Sequence, residues 1–337
     1  MASSLPAPAG HRIAVLAPIS GPSAELGRSM LRAARLALQS DDGTAFDERD
    51  TKGTPSGAAA AANSALAAGA GIVVGPLTAA ETDAVAAVTG PANVPVLAFT
   101  SDPSKARPGV WPMGITPVQQ VRVVVRAAQA DGKIRLGALI PRNPFGDALA
   151  KGLVVAAQEA GLPPPRIVRY DAAGLDAAIA SLAGPPGAPP LLDAVLLGAP
   201  ADASIAALPA LTRAGLGPDR IRLLGTALWA QNGPQLGALA GAWFAAPDPA
   251  KMSIFEQNYT ARFGVPPRAL SSIAFDAAAA ARTAAGPTGI NMSTLMNPSG
   301  FSGPNGVFVL QSDGHVRRAL ALFEIDPTGF HIRQPGV

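Results

Sequence analysis

Cysteine is absent from the 337 residues and histidine is scarce, since only His11, His315 and His331 occur. The absence of cysteine excludes disulfide bonds, thiolate chemistry and cysteine-ligated zinc. The three histidines lie near the two ends of the chain, and no two of them share the spacing of a metal-ligand pair. We therefore predict that no metal is bound, and nucleophilic triads lack the central histidine that they need.

The sequence also lacks the motifs of nucleotide and nucleophile chemistry. There is no Gly-x-x-x-x-Gly-Lys-[Ser/Thr] phosphate loop, no Gly-x-Gly-x-x-Gly after a predicted strand and no Gly-x-Ser-x-Gly elbow. Adjacent carboxylates occur at Asp41-Asp42 and Asp47-Glu48, where the polar surroundings predict a solvated loop. The sequence thus indicates a protein that is not an enzyme and that uses no cofactor.

Long apolar runs and clusters of one charge are missing as well. No stretch of 18 strongly apolar residues is present, so no segment is expected to span a membrane. The net charge is +3, but the basic residues are dispersed, so no binding to nucleic acid is expected. Residues 1–10 have neither a basic n-region nor an apolar h-region. We expect a flexible tail there, with any export signal or lipid anchor belonging to the full-length precursor.

The chain does contain a regular alternation of short apolar runs and amphipathic segments. A strand is predicted at Ile13–Pro18, and a helix follows at Ser23–Gln39. Thr54-Pro55 and Thr116-Pro117 each predict a helix start, because a hydroxyl cap precedes proline at the first helical position. Thr78-Ala79-Ala80-Glu81 has the pattern of a capping box. The alternation predicts an α/β fold with parallel sheets, and its restart near Thr116 predicts two lobes.

The last part of the chain follows a different pattern. Apolar runs at Gly306–Leu310 and Val316–Ile325 flank the turn residues Ser312-Asp313-Gly314, which predicts a β-hairpin. A late hairpin of this kind can pair with a sheet that formed much earlier in the chain.

The residues that follow the strands are the candidate site, because ligands of open α/β sheets bind beyond the carboxyl ends of the strands. In the first half these residues are small, hydroxyl-bearing or acidic, and they adjoin helix N-termini whose N–H groups favour an anion such as a carboxylate. The alternative is that Thr78 only caps its own helix and that Asp102 only forms a turn. The candidates are Ser20, Leu77, Thr78, Ala79, Thr100, Ser101 and Asp102.

The corresponding positions of the second half are more apolar. They are Phe145, Thr226, Leu228 and Trp229. Phe145 and Trp229 are able to stack on a ligand, and the alternative is that both pack in the core or between the lobes.

The order of these motifs resembles that of type I periplasmic binding proteins, in particular the leucine/isoleucine/valine-binding branch. The resemblance rests on residues 13–22, Leu26-Gly27, Asp50–Pro55, Gly75–Thr78, Val94–Leu97, Phe145-Gly146 and Phe275–Ala277. It implies two Rossmann-like lobes joined by three crossovers, near Pro117, Ala245 and Gly303, with the ligand in the cleft between them. The implied bounds are 11–117 with 246–302 for lobe 1, 118–245 with 303–328 for lobe 2, and flexible tails at 1–10 and 329–337.

The resemblance also assigns roles to the first-half candidates. It implies that Thr78, Ala79, Thr100 and Ser101 hold the α-carboxylate of an amino acid and that Asp102 meets its ammonium group. Two features depart from the family pattern. An aromatic residue expected near Leu26 is missing, and the acidic residue of the second lobe would fall near Ala227 or Leu228. An amide or a carboxylate is therefore an equally suitable ligand.

A second branch is similar as well. Residues 78–81, 98–102 and the closing segment 300–314 resemble the binding-protein-like domain of lipoprotein activators of penicillin-binding proteins. The first branch implies a non-catalytic periplasmic receptor that delivers a small polar molecule to the permease of an ABC importer. The second implies an exported, lipid-anchored module whose partner is a penicillin-binding protein.

Overall fold

A computed structural model describes residues 12–39, 46–185, 191–287 and 289–336. The chain divides into two compact units. Unit 1 comprises Met1–Thr116 and Asp248–Ala319, and unit 2 comprises Pro117–Pro247 and Leu320–Val337. The first two divisions fall within two residues of the expected crossovers at Pro117 and Ala245, whereas the third falls after Ala319 rather than near Gly303.

The first stretch of unit 1 carries a parallel sheet of five strands in the order β2-β1-β3-β4-β5. Its elements are β1 (Arg12–Ala17), α1 (Ala24–Leu38), β2 (Phe46–Asp50), α2 (Pro55–Ala67), β3 (Ala70–Val74), α3 (Ala79–Thr89), β4 (Val96–Ala98) and β5 (Val110–Pro112), with short 3₁₀ helices at Gly90–Ala92 and Pro103–Lys105.

The first stretch of unit 2 repeats the alternation, as predicted. Its elements are α4 (Pro117–Ala130), β6 (Leu136–Pro141), α5 (Pro144–Glu159), β7 (Arg166–Tyr170), α6 (Leu175–Ala183), β8 (Ala194–Leu197), α7 (Ala201–Arg213), β9 (Arg222–Gly225) and β10 (Trp243–Ala246), with 3₁₀ segments at Ala172–Gly174 and Ala227–Leu239.

The remaining chain returns to unit 1 and then to unit 2. The elements of unit 1 are α8 (Pro249–Phe263), α9 (Ser271–Ala284), β11 (Ala285–Gly286), β12 (Gly289–Ile290), α10 (Met292–Leu295), β13 (Phe301–Gly303), β14 (Gly306–Leu310) and β15 (Val316–Ala319). Those of unit 2 are β16 (Ala321–Asp326) and β17 (Gly329–Gln334). They complete a sheet of seven strands in the order β17-β16-β10-β9-β8-β6-β7, in which β16 pairs antiparallel with both of its neighbours.

The helix caps predicted at Thr54 and Thr78 are present. Thr54 accepts a hydrogen bond from Gly57 N at 3.1 Å, with Pro55 at the first helical position. Thr78 Oγ1 accepts from Glu81 N at 3.2 Å, and Glu81 Oε2 accepts from Thr78 N at 2.9 Å, so both halves of the capping box form. Local turn chemistry therefore fixes where these helices begin.

The solvated loop predicted at Asp47-Glu48 is wrong, because both residues lie in β2. This strand is at the edge of the sheet, where charged side chains face solvent and pair with one another. Arg35 Nε donates to Glu48 at 2.6 Å, and Arg49 Nε donates to Asp47 at 2.8 Å. Asp41-Asp42 lies outside the described residues.

The core of unit 1 combines apolar packing with buried polar contacts. Val15, Ile72, Leu97 and Trp111 are buried together between the sheet and its helices. Ser29 Oγ of α1 lies 2.9 Å from Tyr259 Oη of α8 and 2.8 Å from Ser271 Oγ of α9. These hydroxyls satisfy one another's hydrogen bonds in place of water, which ties the segment that begins at Asp248 to the first stretch of unit 1.

The hairpin prediction at the end of the chain is correct only in part. β14 and β15 pair antiparallel, as predicted, but the apolar run Val316–Ile325 divides between two sheets. The residues up to Ala319 belong to unit 1, where Phe308 is buried and Arg318 pairs with Asp276 of α9 at 2.7 Å. These contacts are non-local, so a local sequence pattern does not reveal that unit 1 extends to Ala319.

The flexible tail predicted at 329–337 is wrong for Gly329–Gln334, which forms β17. Phe330 packs against Phe244 and Phe323 with ring centroids 5.3 Å apart in both cases. Arg333 donates to Glu324 at 2.6 Å and lies over the Trp243 ring. The tail predicted at 1–10 lies outside the described residues.

Candidate functional site

The loops at the carboxyl ends of β1 and β2 are joined by one carboxylate. Asp50, the last residue of β2, accepts hydrogen bonds from Ile19 N at 2.9 Å, Ser20 N at 3.3 Å and Lys52 N at 2.8 Å. Ser20 Oγ donates to its second oxygen at 2.6 Å. We call this arrangement the Asp50 clamp. It occupies the hydroxyl of Ser20, so this predicted site residue holds the loop in place.

The charge of Asp50 is stabilised where it lies. Partial burial acts to raise its pKa, but the hydrogen bonds from Ser20 and from the backbone N–H groups of Lys52, Ile19 and Ser20 outweigh burial, so the pKa is lowered. The clamp is therefore ionised at neutral pH.

The loop after β3 presents the start of α3. Thr78 is exposed, Leu77 and Ala79 are half-buried, and the capping box uses the N–H groups of Thr78 and Glu81. The first N–H groups of a helix have no acceptor within the helix. No capping side chain among the described residues occupies the N–H groups of Ala79 and Ala80, which are therefore donors suited to an anion.

The loop after β4 is a compact turn. Thr100 Oγ1 accepts from Asp102 N at 3.1 Å, and Asp102 Oδ1 accepts from Ser104 N at 3.0 Å. Gly114 N donates to Thr100 O at 3.0 Å, and a side chain at Gly114 would collide with Ser101. The turn exposes Ser101, keeps Thr100 buried and leaves Asp102 half-buried.

The first-half candidates lie at one edge of one sheet. β1, β3 and β4 are parallel neighbours, so the loops that follow them emerge at the same edge. We call this the carboxyl edge of unit 1. As the alternative interpretation states, Thr78 caps its own helix and Asp102 forms a turn. The edge nevertheless presents the N–H groups of Ala79 and Ala80 and the Ser101 hydroxyl.

The second-half candidates differ in their accessibility. Phe145, in the first turn of α5, and Leu228 are half-buried. Thr226 is buried, and its hydroxyl accepts from Leu228 N at 3.4 Å. Ala227 N donates to Gln120 Oε1 of α4 at 2.8 Å. Among the described residues, none of the predicted positions at this edge of unit 2 carries a carboxylate.

The proposal that Trp229 stacks on a ligand is wrong, because its side chain is 0% exposed. Its Nε1 donates to Ala199 O at 3.1 Å, and its ring packs against Gly225 and Phe244. A side chain at Gly225 would occupy the space of the indole, so the 3₁₀ segment after Thr226 turns Trp229 inward.

Two residues that hydrogen-bond to the site loops, Asp50 of β2 and Gln120 of α4, were not recognised from the sequence. Asp50 was missed because β2 was predicted as a loop, although the Asp50–Pro55 segment was noted. Gln120 was missed because its contact to Ala227 spans 107 residues. The local signal for Asp50 is a strand that ends in aspartate beside a Ser-Gly-Pro turn. No local signal marks Gln120.

The part of the chain that the structure describes contains no group of three or more histidine and carboxylate side chains arranged for a metal ion. Over the same residues, no helix has the length and hydropathy needed to cross a bilayer.

Comparison with known proteins decides the family. Residues 11–329 match the profile of the periplasmic binding protein family. The chain belongs to this family. The prediction of a type I periplasmic binding protein with an α/β fold is therefore confirmed, and no curated protein sequence matches the chain.

Solved structures support the same fold for this periplasmic binding protein. A protein from Rhodospirillum rubrum, described as a branched-chain amino acid ABC transporter, has a TM-score of 0.77 at 17% identity, covering 95% of this chain and 99% of that one. The C-domain of LpoA from Haemophilus influenzae, a regulator of PBP1A, has a TM-score of 0.75 at 18% identity, covering 97% and 100%. An ABC transporter substrate-binding protein from Sphaerobacter thermophilus has a TM-score of 0.64 at 18% identity, covering 96% and 98%.

Proposed function

We propose that this periplasmic binding protein is a non-catalytic solute receptor that recognises a small carboxylate-bearing molecule at the carboxyl edge of unit 1. The observation that supports the proposal is the start of α3, where the N–H groups of Ala79 and Ala80 have no capping acceptor. The exposed hydroxyl of Ser101 lies in the loop of the neighbouring strand. The proposal places the protein in the periplasm, where it serves the permease of an ABC importer.

The chemistry of the edge favours a carboxylate over a neutral group. Helix N–H groups and the positive end of the α3 dipole stabilise a negative charge within the first turn. The Asp50 clamp holds the neighbouring loop without offering its own charge, since four hydrogen bonds already occupy that carboxylate. Asp102 has one oxygen engaged with Ser104 N, and we propose that its other oxygen meets an ammonium group in ligands that carry one.

The test removes one donor without disturbing the helix. Ala79 is the first residue of α3 and follows the extended Thr78, so proline fits there as it does at Pro55 of α2. A thermal-shift screen of amino acids, amides and small carboxylates should identify a stabilising ligand. Ala79→Pro should weaken that ligand at least tenfold while the Tm of the free protein stays within about 2 °C.

The control and the contrary outcome are equally specific. Asp102→Ala should remove the thermal shift of ligands with an ammonium group and leave that of simple carboxylates intact. Native mass spectrometry should show the ligand bound to the unmodified protein. A broad screen without a shift, or a carboxylate whose affinity survives Ala79→Pro unchanged, would contradict the proposal.

A second function, binding to a penicillin-binding protein, is favoured by the apolar carboxyl edge of unit 2. Phe145 and Leu228 offer half-buried apolar surface there, where a receptor for amino acids needs charge. Surface plasmon resonance against a purified penicillin-binding protein tests this function. Binding that Phe145→Glu abolishes supports it, and the absence of binding argues against it.

A further inference from the structure

Arg318, near the end of β15, lies in a cluster of buried polar groups. Its side chain is fully buried, and its Nη1 donates to Asp276 Oδ2 of α9 at 2.7 Å and to Asn305 O at 3.3 Å. Asn305 Nδ2 donates to the same carboxylate oxygen at 3.0 Å, and Ser272 Oγ donates to Asn305 Oδ1 at 3.2 Å. The guanidinium also lies over the ring of Phe308, 4.8 Å from its centroid. We call these polar residues the Arg318 cluster, and they hold the cation in one position.

Stability alone is a poor explanation of the Arg318 cluster. Asp276 Oδ1 and Arg318 Nε have no hydrogen-bond partner among the described residues, and a side chain at Gly303 would collide with that carboxylate oxygen. Unpartnered atoms of a buried ion pair cost free energy, so such a pair often stabilises less than apolar residues of similar size. The positions that the cluster fixes are therefore of more interest than its contribution to stability.

A second nitrogen of Arg318 holds a distant part of the chain. Nη2 donates to Met113 O at 3.0 Å, although the two residues are 205 positions apart. Met113 lies just before the connection that leaves unit 1 after Thr116, and Arg318 lies just before the connection that leaves it after Ala319. One guanidinium therefore fixes the unit 1 ends of two connections. Among the described residues, no hydrogen bond of the cluster reaches the connection between Pro247 and Asp248.

The residue after Met113 contacts the loop that follows β4. Gly114 N donates to Thr100 O at 3.0 Å. A Cβ at Gly114 would lie 2.7 Å from Ser101 N and 2.8 Å from Ser101 Cα, so the two backbone segments touch. Close-packed backbone of this kind transmits displacement. A movement of Met113 and Gly114 therefore moves the loop that carries Ser101 at the carboxyl edge of unit 1.

We propose that Arg318 is a positioning residue that couples the loop at 100–102 to the connections that follow Thr116 and Ala319. Ordering of any one of these three segments then orders the other two. A ligand that fixes Ser101 reaches both connections by this route, which extends the proposed function. The coupling is a property of the free protein, so its test needs no ligand.

Hydrogen exchange of the free protein, measured by mass spectrometry, tests the coupling from both ends. Asp276→Leu/Arg318→Met removes the donor to Met113 O without leaving a buried charge unpaired. Amides in the peptide 98–104 should then exchange about tenfold faster, because the loop loses its support. In the opposite direction, Gly114→Ala displaces Ser101 and should accelerate exchange in the peptide 316–322 about threefold.

A third variant guards against misfolding of the double variant. Arg318→Lys keeps a cation beside Asp276 but lacks the second nitrogen that reaches Met113 O, so it should accelerate exchange at 98–104 as well. The matched control is Gly90→Ala, since Gly90 has helical dihedrals and a Cβ there meets nothing within 4 Å. This control should leave both peptides unchanged. Exchange in β8–β10 and at the start of α8 should stay the same in every variant.

Two outcomes overturn the coupling. The first is unchanged exchange at 98–104 in both Arg318 variants, or at 316–322 in Gly114→Ala. The second is equal acceleration in β8–β10, because the cluster then stabilises the molecule as a whole and positions no particular loop. A screen that finds no ligand contradicts the proposed function alone, since these exchange rates are measured without one.

Discussion

The two units follow one plan of parallel strands and helices but stabilise it with different chemistry. Unit 1 contains buried or clamped polar groups: the Asp50 clamp, the Ser29–Tyr259–Ser271 hydroxyls and the Asp276–Arg318 pair. Both units contain an aromatic cluster, which in unit 2 is Trp229, Phe244, Phe323 and Phe330. Among the described residues, however, unit 2 has no ion pair in which both side chains are fully buried. The carboxyl edges show the same contrast, since that of unit 1 offers N–H and hydroxyl groups and that of unit 2 offers apolar side chains.

The difference teaches where specificity resides. A buried polar network tolerates few arrangements, because each unpaired group costs the full penalty of desolvation. An aromatic cluster stabilises through buried area and accepts several packings with similar free energy. Unit 1 is therefore expected to be the rigid, selective unit, and the predictions below test this contrast.

The largest effect is expected from the buried ion pair of unit 1. Asp276 and Arg318 have fully buried side chains; Asn305 Nδ2 donates to Asp276 Oδ2 and Arg318 Nη2 donates to Met113 O, whereas Asp276 Oδ1 and Arg318 Nε find no hydrogen-bond partner among the described residues. Asp276→Ala leaves an unpaired buried guanidinium and should lower the free energy of unfolding by about 3–5 kcal/mol. Hydrogen exchange at β13–β15, compared with β8–β10, will show whether the loss is confined to unit 1.

The matched control for this prediction replaces both partners. In Asp276→Leu/Arg318→Met no buried charge is left, so most of the lost stability should return. A double variant as unstable as Asp276→Ala would mean that the pair matters for packing rather than for charge, which removes the proposed contrast between the units.

The next effect concerns one buried tryptophan from each unit, Trp229 and Trp111. Trp229 Nε1 donates to Ala199 O at 3.1 Å, and Trp111 Nε1 donates to Gln311 O at 2.7 Å. Replacing either residue by phenylalanine leaves a carbonyl without its donor and creates a small cavity. The free energy of unfolding should therefore fall by about 2–3 kcal/mol. Urea unfolding measures each loss. If the units are independent, the two losses add; strong non-additivity would show that the units share one core.

The sequence predicted most elements of both units, because local signals set them. Thr54-Pro55 and the Thr78 capping box mark helix starts, and apolar runs such as Ile13–Pro18 mark central strands. The two wrongly predicted elements, β2 and β17, are both edge strands. Their charged residues give them the composition of a loop, and distant segments decide how they pair. Of the candidate positions, those of unit 1 follow neighbouring parallel strands of one sheet, and their role as a ligand site stays a prediction. The burial of Trp229 depends on Gly225 and Phe244, which no local pattern reveals.

A smaller effect is expected at the Asp50 clamp. Asp50→Asn keeps the shape but replaces a charged acceptor by an amide that cannot accept four hydrogen bonds, so stability should fall by about 1.5 kcal/mol. Ser20→Ala removes one of these hydrogen bonds and should lower the free energy of unfolding by about 0.5–1 kcal/mol. If the clamp also orders the carboxyl edge, Asp50→Asn weakens the ligand of unit 1 as well. An unchanged affinity limits the clamp to stability.

The smallest effect concerns Asp193 of unit 2, a second carboxylate clamp that lies just before β8, at the amino end of that strand. Arg135 donates to it at 2.6 Å, and the N–H groups of Ile134 and Arg135 donate at 3.1 and 2.9 Å. The side-chain hydrogen bond from Arg135 and these backbone bonds outweigh partial burial and lower the pKa of Asp193 to about 2. The carboxylate in the unfolded chain has a pKa of about 3.9.

Because the folded pKa is the lower one, the stabilisation by Asp193 is present above about pH 4 and is lost as the pH falls toward 2. Since Arg135 is half exposed, the contribution at pH 7 should be about 1 kcal/mol. Asp193→Asn should therefore destabilise unit 2 at pH 7 and converge with the unmodified protein near pH 2, as urea unfolding at several pH values will show. Asp219→Asn, which removes an exposed charge of the same sign, should have no such pH dependence. If the two variants behave alike, the acid sensitivity of unit 2 reflects net charge rather than this clamp, and the polar anchoring of the molecule is confined to unit 1.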